Sequence, residues 1–276
     1  MRPGQAAVSD CVLTLLSGKV QMPFRSRYDQ EECVQANEKL RIGVLGGMGP
    51  AATIDFMTKV RAATPALRDQ DHVPLIVHCV PQVPDRSSAI LGSTDGPLPH
   101  LLDGVRLLQD AGVHAIAIAC NTAHHWHAQL QAQARLPILH IADAVRTLIA
   151  QRKQPGLRVA LMGTQGTRQS RLYDRMLWAG SGELQFPDAQ AQAAVDRAIA
   201  CVKSGDLAQA REAGAQAARL LLSSPNVDLL LLACTELPIA MQDSVYADRC
   251  IDATEALARA CVKFSMSSRE VDDMAA

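Results

Sequence analysis

From Arg41 onward, short apolar or β-branched runs alternate with longer stretches of helical periodicity. This alternation is typical of βαβ units, in which parallel strands share a sheet and helices cover its faces. One predicted helix carries leucines at helical spacing from Leu98 to Leu108 and ends before Gly112, and alanine-rich segments at 195–202 and 207–222 predict two more. The predicted strands form a first set at 42–45, 75–80, 115–119 and 138–141 and a second set at 158–162, 183–186, 227–232 and 249–251.

One strand-and-turn pattern occurs twice, in Ile116-Ala-Ile-Ala-Cys120-Asn-Thr and in Leu230-Leu-Leu-Ala-Cys234-Thr-Glu, with the two cysteines 114 positions apart. In each copy an apolar strand runs into a cysteine and then into small polar residues. Ligands of parallel α/β sheets bind beyond the carboxyl ends of the strands, where helix N-termini present backbone N–H groups. The pattern therefore predicts that both cysteines stand at a ligand-binding edge.

Two thiols placed in this way suit the inversion of a carbon centre. A thiolate removes a proton from one face, and a thiol returns a proton to the other. A lone cysteine in an apolar strand is more often an ordinary core residue, and that interpretation stands for the cysteines that lack the polar tail. These are Cys11, Cys33, Cys79, Cys201, Cys250 and Cys261.

Composition excludes several function classes. The formal net charge is -1, so no global field draws the chain to nucleic acid or to an acidic membrane, and a small-molecule substrate is expected. The eight cysteines contain no C-x-x-C pair, which argues against a disulfide framework or a zinc site and favours reduced thiols. We find no export signal and no membrane span, and we expect a cytoplasmic protein.

Three motifs resemble the aspartate/glutamate racemase family, most of all its aspartate racemases. They are Gly46-Gly-Met-Gly-Pro50, Ala119-Cys-Asn-Thr-Ala-His124 and Ala233-Cys-Thr-Glu-Leu-Pro238, and the resemblance extends over residues 41–262. It implies an isomerase that racemises aspartate or glutamate with Cys120 and Cys234 and needs neither PLP nor any other cofactor. It also implies a homodimer.

The resemblance further implies an α/β fold of two similar domains, each a parallel sheet flanked by helices, related by a pseudo-twofold axis. The active site then lies in the cleft between the domains. We expect the first domain at 41–136 plus 246–276 and the second at 137–245. Residues 1–40 are interpreted as an N-terminal extension.

Other positions match the family pattern and have a physical interpretation. Arg86 offers a planar donor fork and Lys203 a point charge for the two carboxylates of a dicarboxylic amino acid, although each also fits a solvated surface charge. Glu236 either orients a thiol or an amino group, or caps the following helix. The glycine-rich turn is expected to bring backbone close to the substrate at Gly47 and Met48. Side-chain and backbone donors to the α-carboxylate or amino group are expected from Asn121, Thr122, Thr164, Thr167 and Thr235.

Three further questions are the presence of a metal site, the identity of the substrate and the class of function. His124, His125 and His127 have no carboxylate or cysteine nearby at ligand spacing, so no metal site is predicted. Trp126 and Gln165 depart from the family pattern, and the choice between aspartate and glutamate stays open. The same fold also serves enzymes like maleate isomerase, and a two-domain chain can instead be a non-catalytic amino-acid binding protein.

Overall fold

The fold was analysed in a computed structural model, which describes residues 39–92, 96–152, 154, 156–174 and 182–267. The predicted N-terminal extension lies outside these residues except for its last two positions. No helix in the described part of the chain combines the length and the apolar character needed to cross a membrane.

The first sheet contains four parallel strands in the order β2-β1-β3-β4. Its central strands consist of buried apolar residues and glycine, as expected for strands covered on both faces. The strands are β1 (Ile42–Gly46), β2 (Leu75–Cys79), β3 (Ala115–Ile118) and β4 (Ile138–Leu139).

The second sheet repeats this topology with four parallel strands in the order β6-β5-β7-β8. In both sheets the strand that comes first along the chain lies between the second and the third. The strands are β5 (Leu157–Gly163), β6 (Gly182–Gln185), β7 (Leu229–Ala233) and β8 (Cys250–Asp252). Two parallel sheets flanked by helices confirm the predicted fold class.

The helices begin and end where local chemistry favours it. Asp188, Asp206 and Asp252 each accept a hydrogen bond from a backbone N–H of the first turn of the helix that follows them. Gly205 ends one helix in a left-handed conformation with φ 85°. The helices are α1 (Pro50–Ala63), α2 (Arg86–Ile90), α3 (Leu98–Asp110), α4 (His127–Gln133), α5 (Ile141–Gln151), α6 (Gln165–Gln169), α7 (Ala189–Ser204), α8 (Leu207–Leu222), α9 (Leu237–Ala240) and α10 (Ala253–Ser265).

Hydrogen bonding assigns two short strands differently from the expected domain division. β4 pairs with β3 in the first sheet, although residues 137–245 were expected to form the second domain. β8 pairs with β7 in the second sheet, although residues 246–276 were grouped with the first. The chain therefore completes the first sheet with β4 before it enters the second sheet at β5. The domain division itself stays a prediction.

A shared core joins the two sheets. One buried apolar cluster contains Ile42 of β1, Phe56 of α1, Leu161 of β5 and Ile251 of β8. α10 follows the last strand of the second sheet and packs against α1 and α5, which follow strands of the first. This packing fixes the two sheets relative to each other and so determines which strand ends meet.

Candidate active site

Cys120 and Cys234 line the same cavity. Cys120 lies just beyond the end of β3 and Cys234 directly after β7, so both stand at the carboxyl edges of their sheets. Both are buried, and the cavity that they share has a volume of about 20 Å³. Its lining includes every predicted site residue except Gly47 and Thr167, namely Met48, Arg86, Asn121, Thr122, Thr164, Lys203, Thr235 and Glu236.

Cys234 is held as a thiol by its surroundings. Its Sγ donates a hydrogen bond to Oε2 of Glu236 at 3.0 Å, and the Thr235 hydroxyl donates to the same oxygen at 3.3 Å. Burial, followed by the Glu236 carboxylate, raises the pKa of Cys234 well above its usual range. Although Glu236 occupies the N-cap position of α9, its side chain caps no backbone N–H there. Of the two roles considered for Glu236, the structure shows the contact with the thiol.

Cys120 is followed by a tight turn. A 3₁₀ turn, Thr122–Trp126, precedes α4, and the carbonyl oxygen of Cys120 accepts a hydrogen bond from Nδ1 of His124 at 2.8 Å. Burial lowers the pKa of His124 to about 3, so its ring is neutral and Nδ1 carries the proton. His124 thus fixes the backbone that presents Cys120.

Three histidine rings lie close together near this turn. His127 and His140 lie beside His124, with ring centroids 4.5–6.0 Å apart. Within the described residues, no group of three His, Cys, Asp or Glu side chains is arranged to hold a metal ion.

Arg86 is not a solvated loop charge, because its side chain is buried at the start of α2. Its Nη1 donates to the carbonyl oxygens of Val83 (2.9 Å) and Pro84 (3.0 Å), and Nη2 donates to that of Met48 (2.8 Å). The guanidinium group therefore ties the loop before α2 to the glycine-rich turn after β1. Nε is buried with no partner among the described residues. Nε and the remaining Nη2 hydrogen are left for a ligand.

Lys203 approaches the cavity from the other half of the molecule. It lies in the last turn of α7, and its Nζ is 4.0 Å from Oδ2 of Asp85, which directly precedes α2. Both side chains are partly exposed. Lys203 and Arg86 thus place two positive charges at one cavity, with each charge supplied by a different half.

Three predicted threonines form a triangle of hydroxyl groups. Oγ1 of Thr122 lies 3.0 Å from that of Thr164 and 2.9 Å from that of Thr167, and the last two lie 3.1 Å apart. Thr164 also accepts a hydrogen bond from the backbone N–H of Thr167 and so caps α6. The triangle joins the turn after β3 to the turn after β5 across the cleft.

The glycine-rich turn after β1 contributes to the wall of the cavity. Gly47 has φ 90°, and a Cβ atom there would lie 2.2 Å from the backbone nitrogen of Val80. Its own N–H donates to Oγ1 of Thr53 at 2.8 Å. Gly47 is therefore required by the turn, and Met48 is the turn residue that faces the cavity.

Tyr173 is a buried residue near the cavity that no sequence motif indicated. This phenol is 2% exposed, and its hydroxyl donates to Oδ1 of Asn121, the residue after Cys120. Tyr173 lies 52 positions from Asn121 and outside every motif, so no local signal in the sequence indicates the contact. Asp85 and Ser87 also line the cavity, although only their neighbour Arg86 was predicted to do so.

The chain is similar to known racemases in sequence. Residues 45–261 match the family model described as Asp/Glu/Hydantoin racemase. The chain is 29% identical over 231 residues to "Broad specificity amino-acid racemase RacX" of Bacillus subtilis (strain 168), covering 80% of this chain and 96% of the relative.

Solved structures show the same fold. The aspartate racemase of Picrophilus torridus superimposes with a TM-score of 0.74 at 32% identity, over 82% of this chain and 94% of the other. The glutamate racemase of Campylobacter jejuni subsp. jejuni superimposes with a TM-score of 0.56 at 20% identity, over 79% of this chain and 82% of the other. This second likeness concerns the fold alone.

Proposed function

The chain belongs to the Asp/Glu/Hydantoin racemase family, and we propose from this premise that it interconverts the L and D forms of aspartate or glutamate with two cysteines and without PLP. One observation carries the proposal. Cys120 and Cys234 follow equivalent strands of the two sheets and line a single cavity. Two thiols from opposite halves suit a substrate and a product that are mirror images.

The reaction needs only proton transfers. A thiolate takes the α-proton, so that the Cα–H bond breaks and an S–H bond forms. The opposite thiol then gives its proton to the other face of the carbanion and becomes a thiolate. Cys234 enters as the acid, because its surroundings keep it protonated. When Cys234 acts as the base, the Glu236 carboxylate is its nearest proton acceptor, 3.0 Å from Sγ.

Two cations that can each bind one carboxylate line the cavity, together with the carboxylates of Asp85 and Glu236. Arg86 retains Nε and one Nη2 hydrogen for one carboxylate, and Lys203 faces the cavity from the opposite half. Hydroxyl groups of Thr122 and Thr164 line the same cavity as these cations and the cysteines. We propose that the two cations each bind one carboxylate and hold the α-carbon between the thiols.

Isotope exchange tests this function. L-aspartate and D-aspartate are incubated separately with the enzyme in heavy water, and the products are analysed for α-deuterium and for chirality. The proposal predicts deuterated product of the opposite configuration from either enantiomer. Conversion of maleate to fumarate without α-exchange would favour the maleate-isomerase alternative, and binding without exchange would favour a non-catalytic binding protein.

Light scattering of the purified chain tests the expected homodimer, and cell fractionation tests the expected cytoplasmic location.

A further inference from the structure

A buried tyrosine holds the amide beside the first catalytic thiol. We propose that Tyr173 is a positioning residue that fixes the Asn121 side chain so that its NH₂ group faces the substrate and binds a carboxylate. This inference rests on the proposed function and narrows it. It chooses between the carboxylate and the amino group as the partner of Asn121, and it adds a residue that does not itself contact the substrate.

The hydrogen bond determines which end of the amide is free. The Tyr173 hydroxyl donates to Oδ1 of Asn121. Because the oxygen and the nitrogen of a side-chain amide lie at opposite ends of one rigid plane, fixing Oδ1 also fixes Nδ2. Asn121 is 1% exposed and lines the cavity, and its Nδ2 is buried with no partner among the described residues. A buried amide nitrogen without a partner is costly, and because Asn121 lines the cavity, we infer that a ligand there accepts its hydrogen bond.

The chemistry of the free group identifies that ligand. An NH₂ group only donates hydrogen bonds, and therefore it fits a carboxylate oxygen and not an ammonium group. When the α-proton leaves, negative charge spreads onto the α-carboxylate, and a donor aimed there binds more strongly in the transition state. Asn121 directly follows Cys120, and both residues line the cavity in which the proposed proton transfer takes place.

Tyr173 is suited to a fixed donor role. Its ring belongs to the buried cluster shared by both sheets, together with Leu161 and Ile251. Burial, then the charge of Asp252, raises the pKa of the Tyr173 hydroxyl well above the usual range, so the hydroxyl keeps its proton. A tyrosine that is anchored in the core and always protonated holds Oδ1 of Asn121 in one orientation.

A double-mutant cycle tests the inference. Tyr173→Phe, Asn121→Ala and the double variant are compared with the wild type in kcat/KM for racemisation. We expect Tyr173→Phe to lower kcat/KM roughly tenfold, the effect of losing about one hydrogen bond. Asn121→Ala should lower it at least as much, and the double variant should equal Asn121→Ala. Asn121→Asp, which places an acceptor opposite the carboxylate, should be at least as damaging as Asn121→Ala.

Tyr246→Phe is the matched control, because Tyr246 lies partly buried against the apolar cluster around α7 and α8. It should retain wild-type kcat/KM. Thermal unfolding of every variant separates loss of the fold from loss of positioning. If the effects of Tyr173→Phe and Asn121→Ala multiply in the double variant, or if Tyr173→Phe is fully active, Tyr173 does not act through Asn121.

A second measurement separates this inference from the proposed function. The dissociation constant of succinate, a dicarboxylate with no α-amino group, is measured by calorimetry for the same variants and should show the same coupling. If the wild type racemises nothing but succinate binding shows the coupling, the racemase function is overturned and the positioning role stands. If the wild type neither racemises nor binds succinate, both are overturned. Racemisation without coupling in either measurement overturns the positioning role alone.

Discussion

Replacing Gly166 with alanine tests whether contact between α2 and α6 sets the position of Arg86. Gly166 lies in the first turn of α6 and is buried against Ser87 of α2. A Cβ atom at position 166 would lie 2.7 Å from Cα of Ser87, 2.7 Å from its Oγ and 2.9 Å from its Cβ. Since Cα is backbone, a side-chain rotation cannot relieve the overlap, and α2 itself must move.

The size of the effect follows from these distances. Restoring ordinary contact at 3.4 Å requires a displacement of about 0.7 Å between the two helices. Such overpacking costs about 1–3 kcal/mol, whereas alanine gains up to about 1 kcal/mol over glycine in a helix. With that full gain subtracted, the expected net destabilisation is about 0–2 kcal/mol. Arg86 precedes Ser87 in α2, and misplacement by about 1 Å can lower a rate about a hundredfold, so we expect kcat/KM to fall about ten- to a hundredfold.

Racemisation kinetics and urea unfolding measure the two effects separately. Gly96→Ala is the matched control, because a Cβ atom there has no neighbour within 4 Å and the backbone does not have a left-handed φ. This control should retain wild-type kcat/KM. If Gly166→Ala is as active as the control, or if it is stabilised, the contact between α2 and α6 does not position Arg86.

Three further predictions concern the thiols and the absence of a cofactor. Cys120→Ala and Cys234→Ala should each abolish racemisation, yet label opposite enantiomers with α-deuterium in heavy water, while Cys79→Ala, exposed at the end of β2, should racemise normally. Labelling of the same enantiomer by both variants would contradict the assignment. Burial and the Glu236 carboxylate raise the pKa of Cys234, so Glu236→Gln should lower it and move the onset of Cys234 alkylation by iodoacetamide to lower pH, measured by mass spectrometry. If alkylation of Cys234 begins at the same pH or at a higher pH in this variant, the Glu236 carboxylate does not raise the pKa of the thiol. Racemisation should survive dialysis against a chelator and treatment with a carbonyl reagent; a loss that zinc or PLP restores would refute cofactor independence.

Local sequence patterns predicted much of the fold. The eight predicted strands each overlap a strand of the structure. For β1, β3 and β7 the reason is that apolar runs buried on both faces are recognisable without knowledge of their neighbours. The predicted ends of the strands were less accurate. The run at 138–141 contributes only Ile138–Leu139 to β4, since Ile141 begins α5. The two predicted sets of strands placed the run at 138–141 in the first set and that at 249–251 in the second, and β4 and β8 pair in the corresponding sheets. Only the expected domain bounds grouped these two strands with the other half.

The sequence likewise predicted some features of the candidate site and not others. Placement of Cys120 and Cys234 at the sheet edges followed from the sequence, since any residue that comes directly after a parallel strand lies at its carboxyl edge. The hydrogen-bond partners of the site's side chains could not be predicted from the sequence. Local patterns allowed Glu236 to cap α9 and Arg86 to point into solvent, whereas the structure pairs Glu236 with a thiol and Arg86 with three carbonyl groups.

The sequence by itself determined the alternation of strands and helices, the repeated strand-cysteine pattern and the neutral charge balance, because each depends on residues that are near one another in the chain or on composition alone. Only the tertiary structure decided that the two strand ends share one cavity and that Tyr173 holds Asn121. Those contacts join residues far apart in sequence, and they form only after the apolar faces of both sheets have packed into a common core. The packing of that core is a property of the whole chain, and no local period encodes it.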